Sequence, residues 1–240
     1  MITEENFVDF KCPYCGEPVS FPQESAGFAQ ACPNCTESVI VPADGSELGG
    51  QIPLPITTAR LVIRRLAHGD WKDLMELTSD EGFLQYSDNV PLDEDGVMRW
   101  LDSDAHVKFT TPDQTIYLGI VTQEGSKLIG LVNLNFTDPQ RLQVTCSIGL
   151  HGKYQRQGIG LEAVEALLGF CLEGLKLHRI AGWCDSRNTA ACRLLEKAGF
   201  RREGDFLKNR WFQGEWATSV WYAVLEEEYL SGDDSPPQAG

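Results

Sequence analysis

The chain has no apolar run long enough to cross a bilayer, and its opening residues, Met1-Ile2-Thr3-Glu4-Glu5-Asn6, lack a basic stretch leading into an apolar one. A membrane-spanning helix needs about 20 consecutive apolar residues, and a secretory leader needs that basic-then-apolar layout. The expectation is therefore a cytoplasmic protein with no membrane partner. Basic residues are also scarce: 20 Lys and Arg stand against 35 Asp and Glu, a formal charge of −15. Such a surface repels phosphate backbones, which excludes nucleic acid as a general partner. Cysteine is not scarce, at eight residues in 240. Four of the eight form two Cys-x-x-Cys pairs and the others scatter without bridge spacing, as in a reducing compartment.

Those pairs, Cys12-Pro13-Tyr14-Cys15 and Cys32-Pro33-Asn34-Cys35, are separated by sixteen residues. Each can turn so that both sulfurs face one point, and two such turns complete a tetrahedral four-thiolate site with no open position. The expected metal is a structural zinc, whose binding supplies most of the folding free energy of so short a segment. The alternative is a pair of redox dithiols or disulfides. Val19, Phe21, Val39 and Val41 fit short hairpin strands around the pairs, and the segment 1–45 resembles a zinc ribbon. Through Glu47 it carries eight acids and one base, which argues against a phosphate-binding surface. Docking a protein or capping a larger domain are the two uses left open.

Residues 46–55 lack periodicity and read as a linker. A strand is expected over Ile56–Leu66, then a helix over Asp70–Thr78 capped by Asp70, and another near Asp93–Leu101. Three antiparallel strands follow, Thr115–Thr122, Lys127–Phe136 and Leu142–Leu150, turning at Glu124-Gly125-Ser126 and Asp138-Pro139. Beyond them come a helix bearing Val164, Leu167, Leu168, Cys171 and Leu175 on one face, a buried strand His178–Cys184, and a helix capped by Asn188 and ended by Gly199. Phe200–Leu207 and Trp216–Leu225 supply the last strands, and the polar tail 231–240 is expected to be disordered.

Between the third strand and the long helix lies Gln155-Arg156-Gln157-Gly158-Ile159-Gly160. Glycines at 158 and 160 remove the Cβ atoms that would keep a phosphate from the backbone. The first N–H groups of the helix and the positive end of its dipole suit a pyrophosphate. Gly-x-Gly turns also serve as plain strand-to-helix connections, so the rest of the chain must decide.

Gln155-x-x-Gly158-x-Gly160, followed by Asn188-Thr189-Ala190-Ala191-Cys192-Arg193-Leu194-Leu195-Glu196-Lys197-Ala198-Gly199-Phe200, resembles the GNAT acyltransferases. Thr57-Thr58-Ala59-Arg60-Leu61 and Glu203-Gly204 resemble more narrowly the branch containing ribosomal-protein N-terminal acetyltransferases. The resemblance implies an α+β (α/β) GNAT fold over 56–230, with a mixed, mostly antiparallel central sheet flanked by helices, beside the small zinc-ribbon domain. It implies acetyl-CoA as co-substrate and a primary amine as acceptor, a protein or peptide N-terminus foremost. A small amine such as a polyamine or aminoglycoside, or a non-catalytic acyl-CoA-binding role, are the alternatives.

The same resemblance assigns cofactor contacts to Ile148, Gly149, Leu150, Gln155, Arg156, Gln157, Gly158, Ile159, Gly160 and Asn188, with Lys153 near the phosphates. An open strand edge at Ile148–Leu150 can pair with an amide-containing arm as it would with another strand. The family's acid and base positions carry Ala191, Leu195 and, by ungapped counting, Arg210. Asp185, Cys192 and His151 are the remaining catalytic candidates, against blander roles as a loop carboxylate, a small buried hydrophobe and a strand-end residue.

Overall fold

The computed structural model describes residues 6–43, 49–87, 90–109, 115–136 and 142–231. The N-terminal part contains β1 (Phe7–Lys11), β2 (Pro18–Pro22), β3 (Ala29–Ala31), β4 (Ser38–Ile40) and β5 (Gly50–Gln51). β1 pairs antiparallel with β2, while β3, β4 and β5 form a second small sheet. Phe10, Val19, Val39 and Val41 are buried with Cys12 and Cys32 in a core of their own. Residues Gly50–Gln51, expected as linker, instead add a strand to this unit. Glycine makes that possible: a Cβ on Gly49 would stand 2.5 Å from the Phe10 ring. Residues 46–48 of the expected linker, the Asp138-Pro139 turn and the tail 232–240 lie outside the described residues.

β6 (Ile56–Thr57), β7 (Leu61–Arg65), α1 (Trp71–Thr78), α2 (Glu81–Leu84), α3 (Glu94–Asp104), β8 (Thr115–Thr122), β9 (Leu128–Phe136) and β10 (Gln143–Leu150) come next in the chain. α4 (Ile159–Leu168) continues through a wider π turn at Gly169–Gly174, and then come β11 (Arg179–Asp185), α5 (Thr189–Lys197), β12 (Arg201–Phe212), β13 (Glu215–Leu225) and α6 (Glu226–Ser231). The sheet runs in the order β12-β13-β11-β10-β9-β8-β7-β6, antiparallel throughout except where β10 meets β11.

Period-two spacing places Ile63, Ile120, Leu118, Leu134 and Val144 on one face, where α4 lays down Val164, Leu167 and Leu168 and α5 lays down Leu195. The other face carries Val121, Leu128 and Leu131 against Leu74 and Leu77 of α1 and Val97 and Leu101 of α3. Helices thus cover both faces of one sheet, and each fully buried leucine removed would cost about 2–5 kcal/mol.

Three expectations need correction. The single strand over Ile56–Leu66 is a tight hairpin, β6 pairing back on β7 with Ile56 opposite Ile63. Thr58 makes the reversal: its Oγ1 accepts from Leu61 N–H at 3.0 Å, and its N–H donates to the Leu61 carbonyl at 2.9 Å. Asp70 does not cap α1; its carboxylate accepts from Ala67 N–H at 2.8 Å and from both Nη atoms of Arg64 at 2.8 Å. The last strands are also longer than their apolar runs, because the Gln213-Gly214 turn, both residues at positive φ, lets polar residues stay paired up to Phe212 and Glu215.

β9 and β10 approach closely at Gly130, opposite Leu150, where an added Cβ would stand 2.5 Å from the Gly149 carbonyl oxygen. Gly130→Ala should cost about 1–3 kcal/mol through backbone displacement, read as a lower urea midpoint, whereas Gly125→Ala, with open space around it, should lose only its φ preference.

Candidate active site

β10 is held along its full length by β9, down to the pair Leu150 and Gly130. β11 is held equally by β13, down to Asp185 and Ser219. Between themselves the two pair only at Gln143–Thr145 with Arg179–Ala181. Beyond Thr145 they diverge, so among the described residues Ile148, Gly149 and Leu150 keep one edge without a strand partner inside an otherwise continuous sheet. Gly149 itself is packed under Phe83, whose ring would lie 2.5 Å from an added Cβ.

The turn at the mouth of this opening is shaped by its own side chains. Gln155 donates from Nε2 to the Leu150 carbonyl at 2.9 Å and the Gly82 carbonyl at 3.1 Å, tying the strand end to α2. Gln157 Nε2 donates to the Lys153 carbonyl at 2.6 Å. Both amides build the turn. Arg156 and Gly158 take left-handed φ values of +59° and +77°, and Gly158 occupies the N-cap of α4. Among the described residues the N–H groups of Gly158 to Leu161 find no acceptor, and the first bond of the helix is Glu162 N–H to the Gly158 carbonyl at 3.1 Å. That row of donors at a helix start is an anion cradle. Ile159 contributes its backbone only, since its side chain is buried in the core.

Asn188 caps α5, its Oδ1 accepting from Ala191 N–H at 3.0 Å. Leu194 of α5 faces the cradle, 3.3 Å from where a Gly160 Cβ would be. Cys192 lines a groove of about 290 Å³ that it shares with Glu196, Arg202 and Tyr222, and its Sγ lies 3.3 Å from Cys184 Sγ. Asp185 is buried and held by Arg187, with Nε to Oδ1 at 2.8 Å and Nη2 to Oδ2 at 2.7 Å, and by Arg210 Nη2 at 3.2 Å. The Arg187 guanidinium, against the opposing effect of burial and with help from Arg210, keeps this carboxyl below the usual carboxylate range. Arg210 in turn stacks over Phe212 and Trp183, 4.3 and 5.1 Å from the ring centroids. His151 turns into the corner between α1 and α2, its Nδ1 accepting from Lys153 N–H at 3.2 Å and lying 3.5 Å from Asp80, its Nε2 3.5 Å from Glu76.

Two interactions at the site could not be found by reading neighbours in the chain. Asp80 Oδ1 accepts from Gly152 N–H at 2.7 Å and from Phe83 N–H at 2.8 Å, locking α2 to the strand end. Arg60 and Thr58 reach Glu162 in the first turn of α4. Only the short Thr-Thr-Ala-Arg-Leu run hinted that those residues had a task.

The cysteine cluster lies elsewhere. Cys12, Cys15, Cys32 and Cys35 bring four sulfurs within 4.8 Å of one another, with Cys12 to Cys35 at 3.7 Å and Cys15 to Cys32 at 3.9 Å. Tetrahedral zinc at about 2.3 Å from each sulfur requires edges of about 3.8 Å, so the donor set fits. The two turns repeat one pattern: Gly16 N–H to Cys12 carbonyl and Thr36 N–H to Cys32 carbonyl, with Gly16 and Thr36 both at positive φ. Burial of Cys32 opposes its ionisation, but the Cys35 and Asn34 N–H groups outweigh it and bring the thiol down to about 7.

A mixed sheet with one splayed parallel pair, and a helix start facing the opening, defines a fold built to hold a long amide-bearing anion. The acetyltransferase (GNAT) domain profile matches residues 60–201. The chain belongs to that family, is an N-acetyltransferase, and uses acetyl-CoA as its donor. It is 33% identical over 177 residues to the uncharacterized N-acetyltransferase YnaD of Bacillus subtilis, covering 72% of this chain and 98% of YnaD. A GNAT-family acetyltransferase structure from Bacillus anthracis superposes with a TM-score of 0.63 at 28% identity over 72% of this chain and 98% of that one. The Vibrio cholerae spermidine N-acetyltransferase in complex with CoA and spermine shares the fold with a TM-score of 0.63 at 21% identity, covering 72% and 99%. Among the described residues no helix is long and apolar enough to cross a membrane.

Because Asp185 is held as a carboxylate, it stabilises the fold above the unfolded carboxylate pKa near 3.9. That contribution should vanish as pH falls through the lower folded value. Asp185→Asn should destabilise the fold at pH 7 by about 1–3 kcal/mol for the loss of charge-assisted hydrogen bonds to a buried carboxylate, read as a lower urea midpoint, and should flatten the acid limb of stability below pH 4. An unchanged acid limb would show that Asp185 is not held as a carboxylate.

Proposed function

We propose that this N-acetyltransferase acts on an amine with a substantial neutral fraction near pH 7, the α-amine at a peptide or protein N-terminus, as in the ribosomal-protein branch its motifs resemble. The observation that carries this reading is the state of the acid and base candidates. Asp185 is closed between two arginines, Cys192 lines a groove with Glu196, Arg202 and Tyr222 and lies against Cys184, and the α5 side chain beside Gly160 is Leu194. Bound acetyl-CoA supplies an activated thioester; the chain orients it through the open β10 edge and the Gly158–Leu161 donors. Orientation alone lowers the barrier substantially. The attacking nitrogen must still carry a lone pair. An α-amine, with a pKa about 2.6 units below that of lysine, needs about 3.5 kcal/mol less help to lose its proton.

A polyamine acceptor is the second reading, favoured by the net charge of −15, which attracts polycations. An amine panel separates the two. A peptide with a free N-terminus should be acetylated at its α-amine, with kcat/KM rising about tenfold per pH unit below pH 7 and levelling above about pH 8. Preferred turnover of spermidine, or acetyl groups found on lysine side chains by mass spectrometry, would replace this reading with the second.

For the N-terminal unit we propose a structural zinc on Cys12, Cys15, Cys32 and Cys35. A strong chelator, or Cys32→Ser, should release about one zinc per chain and unfold residues 6–43 by hydrogen exchange. Acetyl-CoA binding at the cleft should persist; a metal-free preparation with the same protection over 6–43 would refute the assignment.

A further inference from the structure

The hairpin turn between β6 and β7 reaches across the sheet edge to the first turn of α4. Arg60 Nε donates to Glu162 Oε2 at 2.6 Å, Arg60 N–H to Oε1 at 2.8 Å, and Thr58 Oγ1 to Oε1 at 2.6 Å. The same guanidinium donates from Nη1 to the Gln157 carbonyl at 3.0 Å, inside the cradle. Its Nη2 lies 3.5 Å from where a Gly158 Cβ would stand. The backbone of Arg60 is itself fixed, since its carbonyl accepts from Gln123 N–H at 2.9 Å.

We propose that Arg60 is a positioning residue for the acyl donor, holding the Gln155–Gly160 turn open toward a pyrophosphate and cancelling the charge of Glu162 beside it. This rests on reading that turn as the pyrophosphate site. An acid in the first turn stabilises a bare helix, because it complements the dipole. The same acid opposes a second anion arriving at that end. Three donors on one carboxylate and one on the Gln157 carbonyl resolve the conflict: Glu162 is neutralised, and the carbonyl is turned onto Arg60 so that the neighbouring N–H groups face outward. An isolated exposed ion pair would contribute little. Here the guanidinium bridges two groups of the cradle in a fork that lysine cannot reproduce.

The test compares two donors. Acetyl-CoA carries the pyrophosphate, whereas acetyl-pantetheine has the same thioester and amide arm without it. Arg60→Ala should raise KM for acetyl-CoA roughly 5- to 20-fold, leave kcat at saturating donor within about twofold, and leave kcat/KM for acetyl-pantetheine unchanged. Arg60→Lys should fall between wild type and Arg60→Ala, and it carries the comparison if the alanine variant fails to fold. Equal losses with both donors would overturn the proposal, making Arg60 a general support of α4. A wild-type enzyme that used both donors equally well would instead remove the pyrophosphate reading, and the proposal with it.

Discussion

Three residue pairs between β10 and β11 set the geometry of the catalytic half of this molecule. Each strand is locked along its whole length to a different antiparallel neighbour, β10 to β9 and β11 to β13. Among the described residues, the short parallel ladder at Gln143–Thr145 is therefore the seam between two half-sheets. The halves twist apart beyond it. A sheet interior with open backbone groups is costly unless something satisfies them, as a chain of amides entering from the cradle end would. Gly182 marks the parting point, with an added Cβ only 3.1 Å from the Cys146 carbonyl. A side chain there would push the strands apart before the three joining pairs had formed.

What surrounds the opening is held by charge more than by apolar packing. Asp80 fastens α2 to Gly152, Arg60 and Thr58 fasten the β6–β7 turn to α4, and Arg187 and Arg210 fasten Asp185 to the β12–β13 hairpin. The Asp80, Arg60 and Arg210 contacts bridge elements far apart in the chain, whereas Arg187 lies two residues from Asp185 and reaches the hairpin through Glu215. Carboxylates so engaged make poor proton acceptors.

The strands β8, β9, β10 and β11 and the capped helix α5 were legible in the sequence because each has a clean period and a turn or cap at its end. The four cysteines were legible for the same local reason. The β6–β7 hairpin was not: Ile56 to Leu66 is an unbroken run of strand formers, and the signal for reversal is a threonine hydroxyl bonding three residues ahead. β5 was hidden because paired glycines suggest a linker, although here they permit close approach to Phe10 and Ile40. At the site, the glycine turn could be read from residue types, but the tasks of Gln155, Gln157 and Glu162 could not. Their partners are set by tertiary distance, 102 residues apart for Arg60 and Glu162, and no local pattern encodes that.

The position of the cysteine-rich unit bears on its role. Its contacts fall at the base of the sheet: Lys108 Nζ to Glu37 Oε1 at 2.7 Å and to Thr36 Oγ1 at 3.1 Å, and Pro53, just after it, against Gly174. Ile52 and Leu54 run directly from it into the main core. The base is where β10 begins, whereas the cradle follows its last residue, so the length of an eight-residue strand, about 25 Å, separates them. A four-thiolate site at that distance lies outside the Gly158–Leu161 cradle. Capping needs only the contacts at the base. Docking needs a partner long enough to span from the ribbon to the cleft, as an extended peptide of about eight residues would be and a polyamine would not. A ribbon used for docking is therefore compatible with a protein acceptor and not with a small one, which ties the role of the N-terminal unit to the identity of the amine.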